Sequence, residues 1–475
     1  MAGRYSRQGF FIRARIRMYG FGGAGGGFPF IHVFIFRRQC RYYDPNILAG
    51  TTAFLVRSFD HVSLQFSFPL LIRRDLPSET GLDPAGSDGA AGALIEHIKE
   101  RARTIPGLGP LYGKGTQGSL RYHDTIEPYT VIHSDDAIGS HLWKADGRNF
   151  CDRTGIHLII RGAVPSPPSP SVSDGHRLSR QLEDLAEAVG TLVQKVPVAP
   201  LVSAWVASLD QKLIRKELAE RGLVSFVGDG AHLARTFTQN RPFFRVAGPK
   251  EGVSIPFCCP AELDPVELEL PASNRTVTGL GIRQQEVFAI AGSNAQGKTT
   301  FLEGILAGMD DHASHDGREL VVTVRRVSCA ESTNMGLAGA DISMFFSALP
   351  PGVTGTVHGA FGTGSGSMTM AHQIQTAITR HAPILIIDED RAAPNLLVRS
   401  CLQKEEITPL SEILSREREK MGDTALVFAA CAMDTLIAQA DRIMVLDRHE
   451  AKAIDPQSFR HSLAGLLRKT ADVLE

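Results

Sequence analysis

The most constraining feature of the sequence is a glycine-rich motif in the carboxyl half of the chain. Residues 292–299 read GSNAQGKT and match the pattern G-x-x-x-x-G-K-[ST] at every fixed position. A short apolar run, VFAIA at 287–291, precedes the motif, and helix-spaced apolar residues follow it at 300–306. A buried strand, a glycine loop and a helix in this order are typical of a phosphate-binding loop. The motif therefore predicts an α/β fold with a nucleoside triphosphate as ligand.

The residue types of this loop account for its predicted ligand. The two fixed glycines let the backbone curl until its N–H groups converge on anionic oxygens, and the positive end of the next helix adds to the field. Lys298 can reach the outer phosphates and so serve catalysis, and the Thr299 hydroxyl can bind Mg²⁺. A glycine loop that only turns a strand into a helix is the structural alternative. The residues predicted to bind nucleotide are Gly292, Asn294, Gln296, Gly297, Lys298, Thr299 and Thr300.

A second, acidic element follows further along the chain. The apolar run 383–387 ends in Asp388, Glu389 and Asp390, as a central parallel strand does where its carboxyl end opens onto a ligand. We expect Asp388 to bind Mg²⁺ together with Thr299. Glu389 is placed to orient or deprotonate the water that attacks the γ-phosphate. Three acids after a strand also fit a solvated turn, an alternative that the upstream glycine motif weakens.

A Gly/Ser segment lies between these two elements. Residues 362–367 read GTGSGS and lead into a helix-like run that ends near 380. ABC-type ATPases place a Ser-Gly signature about this far before the acidic strand and use it on the nucleotide held by the other protomer. Ser365, Gly366 and Ser367 could bind the γ-phosphate in the same way, through a hydroxyl, backbone N–H groups and a helix N-terminus. A flexible connector has the same composition.

The order of several sequence blocks adds a family resemblance. The chain resembles the family known as predicted ATPases of the ABC class, which includes a kinetoplastid mitochondrial RNA-processing protein. The resemblance covers roughly residues 150 to 450 and is most specific in the carboxyl half. Besides the three segments above, the blocks that carry it are GLVSFVGDGAHL at 222–233, VTGLGI at 277–282, HDGRE at 315–319, AE at 330–331, DIS at 341–343 and ITP at 407–409.

The resemblance implies ATP and Mg²⁺ as ligands, hydrolysis of ATP to ADP and phosphate, and a homodimer. Two sensor residues of transporter-type ABC ATPases are missing from the chain. No glutamine occurs between Gly297 and Gln373, and no histidine occurs in the segment 430–434 that follows the strand-like run after the acids. We therefore expect slow or conditional hydrolysis.

Composition shifts divide the chain into predicted parts. The predicted fold is an α/β P-loop NTPase of ABC-ATPase type with an additional N-terminal α+β domain. An arginine-rich, acid-free leader at 1–43 resembles a mitochondrial presequence. Exposed loops are expected near 78–92 and 165–175, and a further glycine-rich loop at 113–119 either contacts the nucleotide or an anionic partner, or is an ordinary turn. The predicted divisions are the leader 1–43, the N-terminal domain 44–244, the ATPase domain 245–450 and a helical extension 451–475.

Charge and hydropathy limit the range of partners. The formal net charge of −1 gives no global electrostatic reason to bind nucleic acid, so any RNA contact depends on local patches. No apolar run approaches the roughly twenty residues that span a bilayer, so no transmembrane partner segment is expected within this chain. The spacing from Lys298 to Gly366 is too short for the coiled coil of DNA-repair ABC ATPases, and no DNA partner is indicated.

Two functions follow as hypotheses. In the first, the chain is an ATPase whose nucleotide-dependent dimer closure acts on a macromolecular partner. In the second, it is a nucleotide-gated RNA-binding or assembly factor of a mitochondrial ribonucleoprotein, with weak or vestigial hydrolysis. The leader favours a mitochondrial location, with a soluble cytoplasmic protein as the alternative. Seven cysteines without a C-x-x-C pair fit a reducing compartment.

Overall fold

The computed structural model divides the chain into two compact units, Met1–Leu209 and Asp210–Glu475. The residues that the structure describes are 33–37, 47–49, 52–57, 63–102, 104–112, 143, 145–165, 172–233, 255–333, 336–402 and 406–475. Most of the predicted leader, the glycine-rich loop at 113–119 and residues 166–171 lie outside these ranges.

The described strands of the first unit form one antiparallel sheet. Six strands follow the order β1-β3-β4-β6-β5, with β2 paired to β4. All of these described strand pairs are antiparallel, and together with the helices they make this unit α+β, as predicted. The strands are β1 (Val33–Arg37), β2 (Ile47–Ala49), β3 (Thr52–Arg57), β4 (Ser63–Ile72), β5 (Phe150–Asp152) and β6 (Gly155–Pro165). The helices are α1 (Leu76–Thr80), α2 (Ser87–Ala102), α3 (Val172–Gln194) and α4 (Val198–Glu220). The boundary between the two units falls within α4.

The segment 78–92 corrects part of a prediction: residues 78–85 are mostly exposed, as expected, but residues 87–92 belong to a helix and are not a connector. It holds the end of α1, a 3-10 turn and the first part of α2, where Ala90 and Ala91 are fully buried. A Cβ on Gly89 would lie 2.0 Å from the backbone oxygen of Ala204 in α4. The small residues that suggested a loop therefore allow two helices to pack closely. At 165–175, likewise, Pro165 still belongs to β6 and α3 already begins at Val172.

In the described part of the second unit, the strands form three sheets. Its strands are β7 (Leu223–Gly228), β8 (Val266–Leu270), β9 (Arg275–Arg283), β10 (Val287–Ala291), β11 (Val321–Thr323), β12 (Ser328–Ala330), β13 (Gly336–Ala340), β14 (Thr354–Thr356), β15 (Gly359–Thr363), β16 (Ile384–Asp388), β17 (Ala425–Ala430), β18 (Arg442–Asp447) and β19 (Glu450–Ile454). Its further helices are α5 (Lys298–Ala307), α6 (Gly366–Thr379), α7 (Pro394–Leu397), α8 (Leu410–Arg416), α9 (Asp434–Ile437) and α10 (Pro456–Leu474).

The largest sheet of this unit has the order β12-β16-β17-β10-β18-β19. The first five strands are parallel, and β19 pairs antiparallel with β18 at the edge. All residues of β10 and β17 are buried, as expected for central parallel strands that are covered on both faces. This sheet is the α/β framework predicted from the glycine motif.

A second sheet, β11-β7-β9-β8, shows that the second unit starts earlier in the chain than the predicted ATPase domain. All six residues of β7 are buried, and β7 pairs with both β9 and β11. The predicted boundary at 244/245 would separate β7 from its partner strands. The structure instead divides the chain at Leu209/Asp210. A strand that pairs with residues far along the chain leaves no local sign of its domain.

The carboxyl terminus carries one long helix after the edge strand. The predicted helical extension 451–475 begins as part of β19 and continues as α10, which has no buried residue. Within the described ranges, no single helix is long and apolar enough to cross a membrane; α3 and α4 meet the criteria only as a bent pair.

Candidate functional site

The topology of the parallel sheet brings the glycine motif and the acids to one edge. In the strand register, Ala291 of β10 pairs with Ala430 of β17, and Asp388 of β16 pairs with Ala429. The P-loop and the acids therefore both begin at the carboxyl edge, with β17 between them. Two strand spacings correspond to about 10 Å. A triphosphate with its metal spans that separation.

The P-loop backbone depends on glycine at both fixed positions. Gly292 has φ +137°, and a Cβ there would lie 2.4 Å from the carbonyl oxygen of Leu446. Gly297 has φ +97° and is the N-cap residue of α5. The Lys298 Nζ donates to the carbonyl oxygens of Gly292 and Ser293, at 2.8 Å each. The ammonium group thus lies over the mouth of the loop, next to the first-turn N–H groups of α5.

A histidine that the sequence reasoning missed also contacts this loop. His449 lies in the turn between β18 and β19, where both Arg448 and His449 have positive φ. Its Nδ1 lies 3.2 Å from the Gln296 carbonyl oxygen. The Gln296 Nε2 donates to Asn294 O at 3.4 Å. Pairing of β18 with β10 brings this hairpin to the loop, and nothing in the sequence near 449 indicates that contact.

The Glu389 carboxylate is held by backbone groups of the loop after β17. Its Oε2 accepts hydrogen bonds from Cys431 N and from Ala432 N, the latter at 3.3 Å. This loop is the segment where a histidine is missing. Two N–H groups therefore orient the predicted water-activating carboxylate without a side chain from that loop.

The predicted metal ligands fit a Mg²⁺ that is shared with a nucleotide. Asp388 accepts a long hydrogen bond, 3.4 Å, from Asp390 N, which leaves carboxylate oxygen available for a cation. Thr299 lies in the first turn of α5, on the P-loop side of the edge. Among the described residues there is no group of three or more His, Cys, Asp or Glu side chains that could hold a metal. Mg²⁺ is commonly bound by one or two protein oxygens plus substrate phosphates and water, and this donor set suits that mode.

The Gly/Ser segment forms the N-terminus of α6. Ser365 is the N-cap residue, is exposed, and makes no side-chain capping bond. Its side chain therefore does not occupy the first N–H groups of α6. A Cβ on Gly366 would lie 1.9 Å from the Ser332 Oγ. The Ser367 Oγ donates to Asn395 Oδ1 at 2.8 Å. Ser367 therefore binds within its own chain, a bond that differs from the expectation that its hydroxyl faces a second protomer.

The site and the sheet around it define a P-loop ATPase of the ABC class, and the chain belongs to the ABC_ATPase family. The family model for this P-loop domain matches residues 198–469. Its start within α4 agrees with the early boundary of the second unit. The family predicted from the sequence blocks is confirmed.

The chain is also similar in sequence to an uncharacterized protein of Methanocaldococcus jannaschii. The two sequences are 39% identical over 380 residues, which cover 80% of this chain and 82% of the archaeal protein. The similarity therefore includes much of the first unit as well as the P-loop domain.

Two solved structures also resemble part of the chain. One is described as a metal-chelate type ABC transporter in an inward-facing conformation, with 14% identity, a TM-score of 0.27, and coverage of 41% of this chain and 82% of the other. The second is cbiO1 from Clostridium perfringens, part of the ABC transporter complex cbiONQ, with 14% identity, a TM-score of 0.31, and coverage of 52% and 94%.

Proposed function

We propose that the protein binds Mg·ATP and hydrolyses it slowly to ADP and phosphate. The observation that carries the proposal is the meeting of the P-loop and the acidic pair at one edge of the parallel sheet. Lys298 and the backbone of 292–300 hold the triphosphate, and Thr299 and Asp388 hold Mg²⁺. When bound, the metal neutralises phosphate charge.

Hydrolysis then needs an oriented water. Its oxygen forms a bond to the γ-phosphorus, the bond from that phosphorus to the β,γ-bridging oxygen breaks, and ADP leaves with the electron pair. Glu389 accepts the proton of the water. The two backbone hydrogen bonds from Cys431 and Ala432 support this role, because they fix a carboxylate that would otherwise rotate freely.

Dimer closure is part of the proposal. The N-terminus of α6, with Ser365 and Gly366, presents first-turn N–H groups that lie outside the hydrogen-bond ladder of the helix and suit the γ-phosphate held by a second protomer. Nucleotide would then stabilise the dimer by mass action, and its hydrolysis would open the dimer. RNA binding and a mitochondrial location remain predictions, the latter because it depends on residues 1–43.

The test is the substitution Glu389→Gln. It removes the proton acceptor but keeps the size of the side chain, so turnover should fall at least 100-fold and an ATP-bound dimer should accumulate in size-exclusion chromatography. Glu419→Gln, an exposed change in a 3-10 turn away from the site, serves as the matched control. Unchanged turnover in Glu389→Gln would contradict the proposed mechanism. Loss of turnover with unchanged biological activity would favour the nucleotide-gated binding module.

A further inference from the structure

The guanidinium group of Arg391 lies among carboxylates from three elements of the second unit. Its Nη1 donates to Glu331 Oε1 at 3.0 Å, and its Nη2 lies 3.7 Å from Glu303 Oε1. The hydrogen bond that Arg391 donates to Glu331 and the charges of Glu331, Glu303 and Asp388 raise the pKa of Arg391 against the opposing effect of burial. Arg391 therefore keeps its positive charge within a cluster of carboxylates.

The elements that carry Glu303, Glu331 and Arg391 border the proposed nucleotide site. Glu303 follows Thr299 by four residues in α5, so both lie on the same face of that helix. Glu331 comes directly after β12, whose last residue, Ala330, pairs with Ile387 of β16. Arg391 ends the short 3-10 turn that begins with Glu389. The guanidinium group is thus on the side of the site where Mg²⁺ and the γ-phosphate are expected.

The ion pairs of Arg391 with Glu331 and Glu303 can be replaced by a pair with a phosphate group. The Arg391 side chain is 52% exposed, and the side chain of its hydrogen-bond partner Glu331 is 43% exposed. Ion pairs between exposed side chains contribute little to the stability of a fold, because water screens both charges. A phosphate group offers more charge and accepts two parallel hydrogen bonds from a guanidinium fork. A γ-phosphate within reach would therefore compete effectively with the two glutamates.

We propose that Arg391 is a catalytic residue that leaves Glu331 and Glu303 and binds the γ-phosphate when Mg·ATP occupies the P-loop. It takes no proton; it stabilises the negative charge of the phosphoryl group during transfer, as arginine residues do in other NTPases. With ADP bound there is no γ-phosphate, and Arg391 stays paired with the glutamates. The inference rests on the proposed function, because it assumes that this site holds Mg·ATP.

The first measurement is nucleotide affinity in the Glu389→Gln background, where turnover is blocked. With Arg391 present, Mg·ATP should bind at least tenfold more tightly than Mg·ADP. Arg391→Ala should remove most of that preference and leave the Mg·ADP affinity within threefold. Arg391→Lys should restore part of the preference, because a lysine supplies charge without the fork. Arg380→Ala, at the exposed C-cap of α6, is the control and should change neither affinity.

The second measurement is turnover with Glu389 intact. Arg391→Ala should lower kcat by about 100-fold or more. If the wild type binds Mg·ATP without turnover, the proposed hydrolysis fails and the affinity ratio still decides the role of Arg391. If the wild type turns over and Arg391→Ala matches it in kcat and in the affinity ratio, only the present inference is overturned. An equal loss of Mg·ATP and Mg·ADP affinity would also overturn it, since that result indicates a structural role. Should Arg391→Ala fail to fold, Arg391→Gln provides the same comparison.

Discussion

At the residue scale, the site depends on backbone contacts that side-chain motifs do not reveal. The loop after β17 lacks the histidine of transporter-type enzymes, yet its N–H groups at Cys431 and Ala432 hold Glu389. Every residue except proline carries such a donor, so the sequence of that loop gives no sign of the contact. The roles of the P-loop residues could be predicted from the sequence, because lysine, threonine and glycine are needed there for their own chemistry.

The contact between His449 and the P-loop gives a first prediction. His449→Ala should raise the Kd for Mg·ADP by about threefold to tenfold, which corresponds to the loss of one ordinary hydrogen bond to the loop. His449→Asn should bind nearly as well as the wild type, because asparagine tolerates positive φ and can donate through its amide. Arg448→Ala is the neighbouring control. Equal affinities in titrations of the wild type and His449→Ala would show that the contact has no role in binding.

Asp441 gives a prediction on pH. Burial would raise the pKa of this carboxyl, but hydrogen bonds from Arg418 and from Val287 N outweigh burial and hold the pKa below its ordinary value of 3.8. A depressed pKa stabilises the fold above that value, and this contribution is lost as the pH falls below it. Asp441→Asn should therefore lower the free energy of unfolding by about 1 kcal/mol at pH 7, a modest loss because the side chain is 41% exposed.

The measurement for Asp441 is the urea midpoint of the wild type and of Asp441→Asn between pH 7 and pH 3. The difference between the two midpoints should be constant near neutral pH and should shrink below about pH 4. A difference that persists unchanged at pH 3 would mean that the charge of Asp441 does not stabilise the fold.

At the scale of secondary-structure elements, the two glycines of the P-loop differ in what they tolerate. Gly292→Ala combines positive φ with a Cβ 2.4 Å from a carbonyl oxygen, so we expect a loss of about 3 kcal/mol or more. In Gly297→Ala the nearest atom is 3.7 Å away, and only the backbone conformation is strained, so about 1–2 kcal/mol should be lost. Gly465→Ala, in open space on α10, should be neutral or stabilising.

Thermal unfolding of the three alanine variants distinguishes these effects. The midpoint should fall most for Gly292→Ala, less for Gly297→Ala, and not at all for Gly465→Ala. A midpoint for Gly292→Ala equal to that of Gly297→Ala would contradict the packing of the P-loop against β18.

Strands and helices next to the motif were predictable, and those of the first unit were less so. The strand β10, the helix α5 and the strand β16 have apolar patterns that match their burial. The helix α2 was harder to predict, because its first half is rich in small residues, one of which, Gly89, packs against the α4 backbone at Ala204. Glycine and alanine indicate a loop by composition and a close helix contact by position, and the sequence alone does not distinguish the two.

At the scale of the whole molecule, the boundary between the two units can be tested by truncation. A fragment of residues 198–475 keeps β7 and all of α4, and we expect it to bind Mg·ATP. A fragment of residues 245–475, cut at the boundary predicted from sequence, loses a fully buried strand that lies between β9 and β11. Exposing both neighbours of a central strand should leave this fragment aggregated or unfolded in circular dichroism. Equal folding of both fragments would contradict the assignment of β7 to the second unit.

The central claim is that Lys298 and Asp388, far apart in sequence, form one Mg·ATP site. Isothermal titration of the full chain with Mg·ATP tests this claim most directly. We expect one nucleotide per chain in the wild type, at least 100-fold weaker binding in Lys298→Ala, and loss of the Mg²⁺ dependence of binding in Asp388→Asn. Absence of binding by folded wild-type protein, or equal binding by Lys298→Ala, would contradict the account.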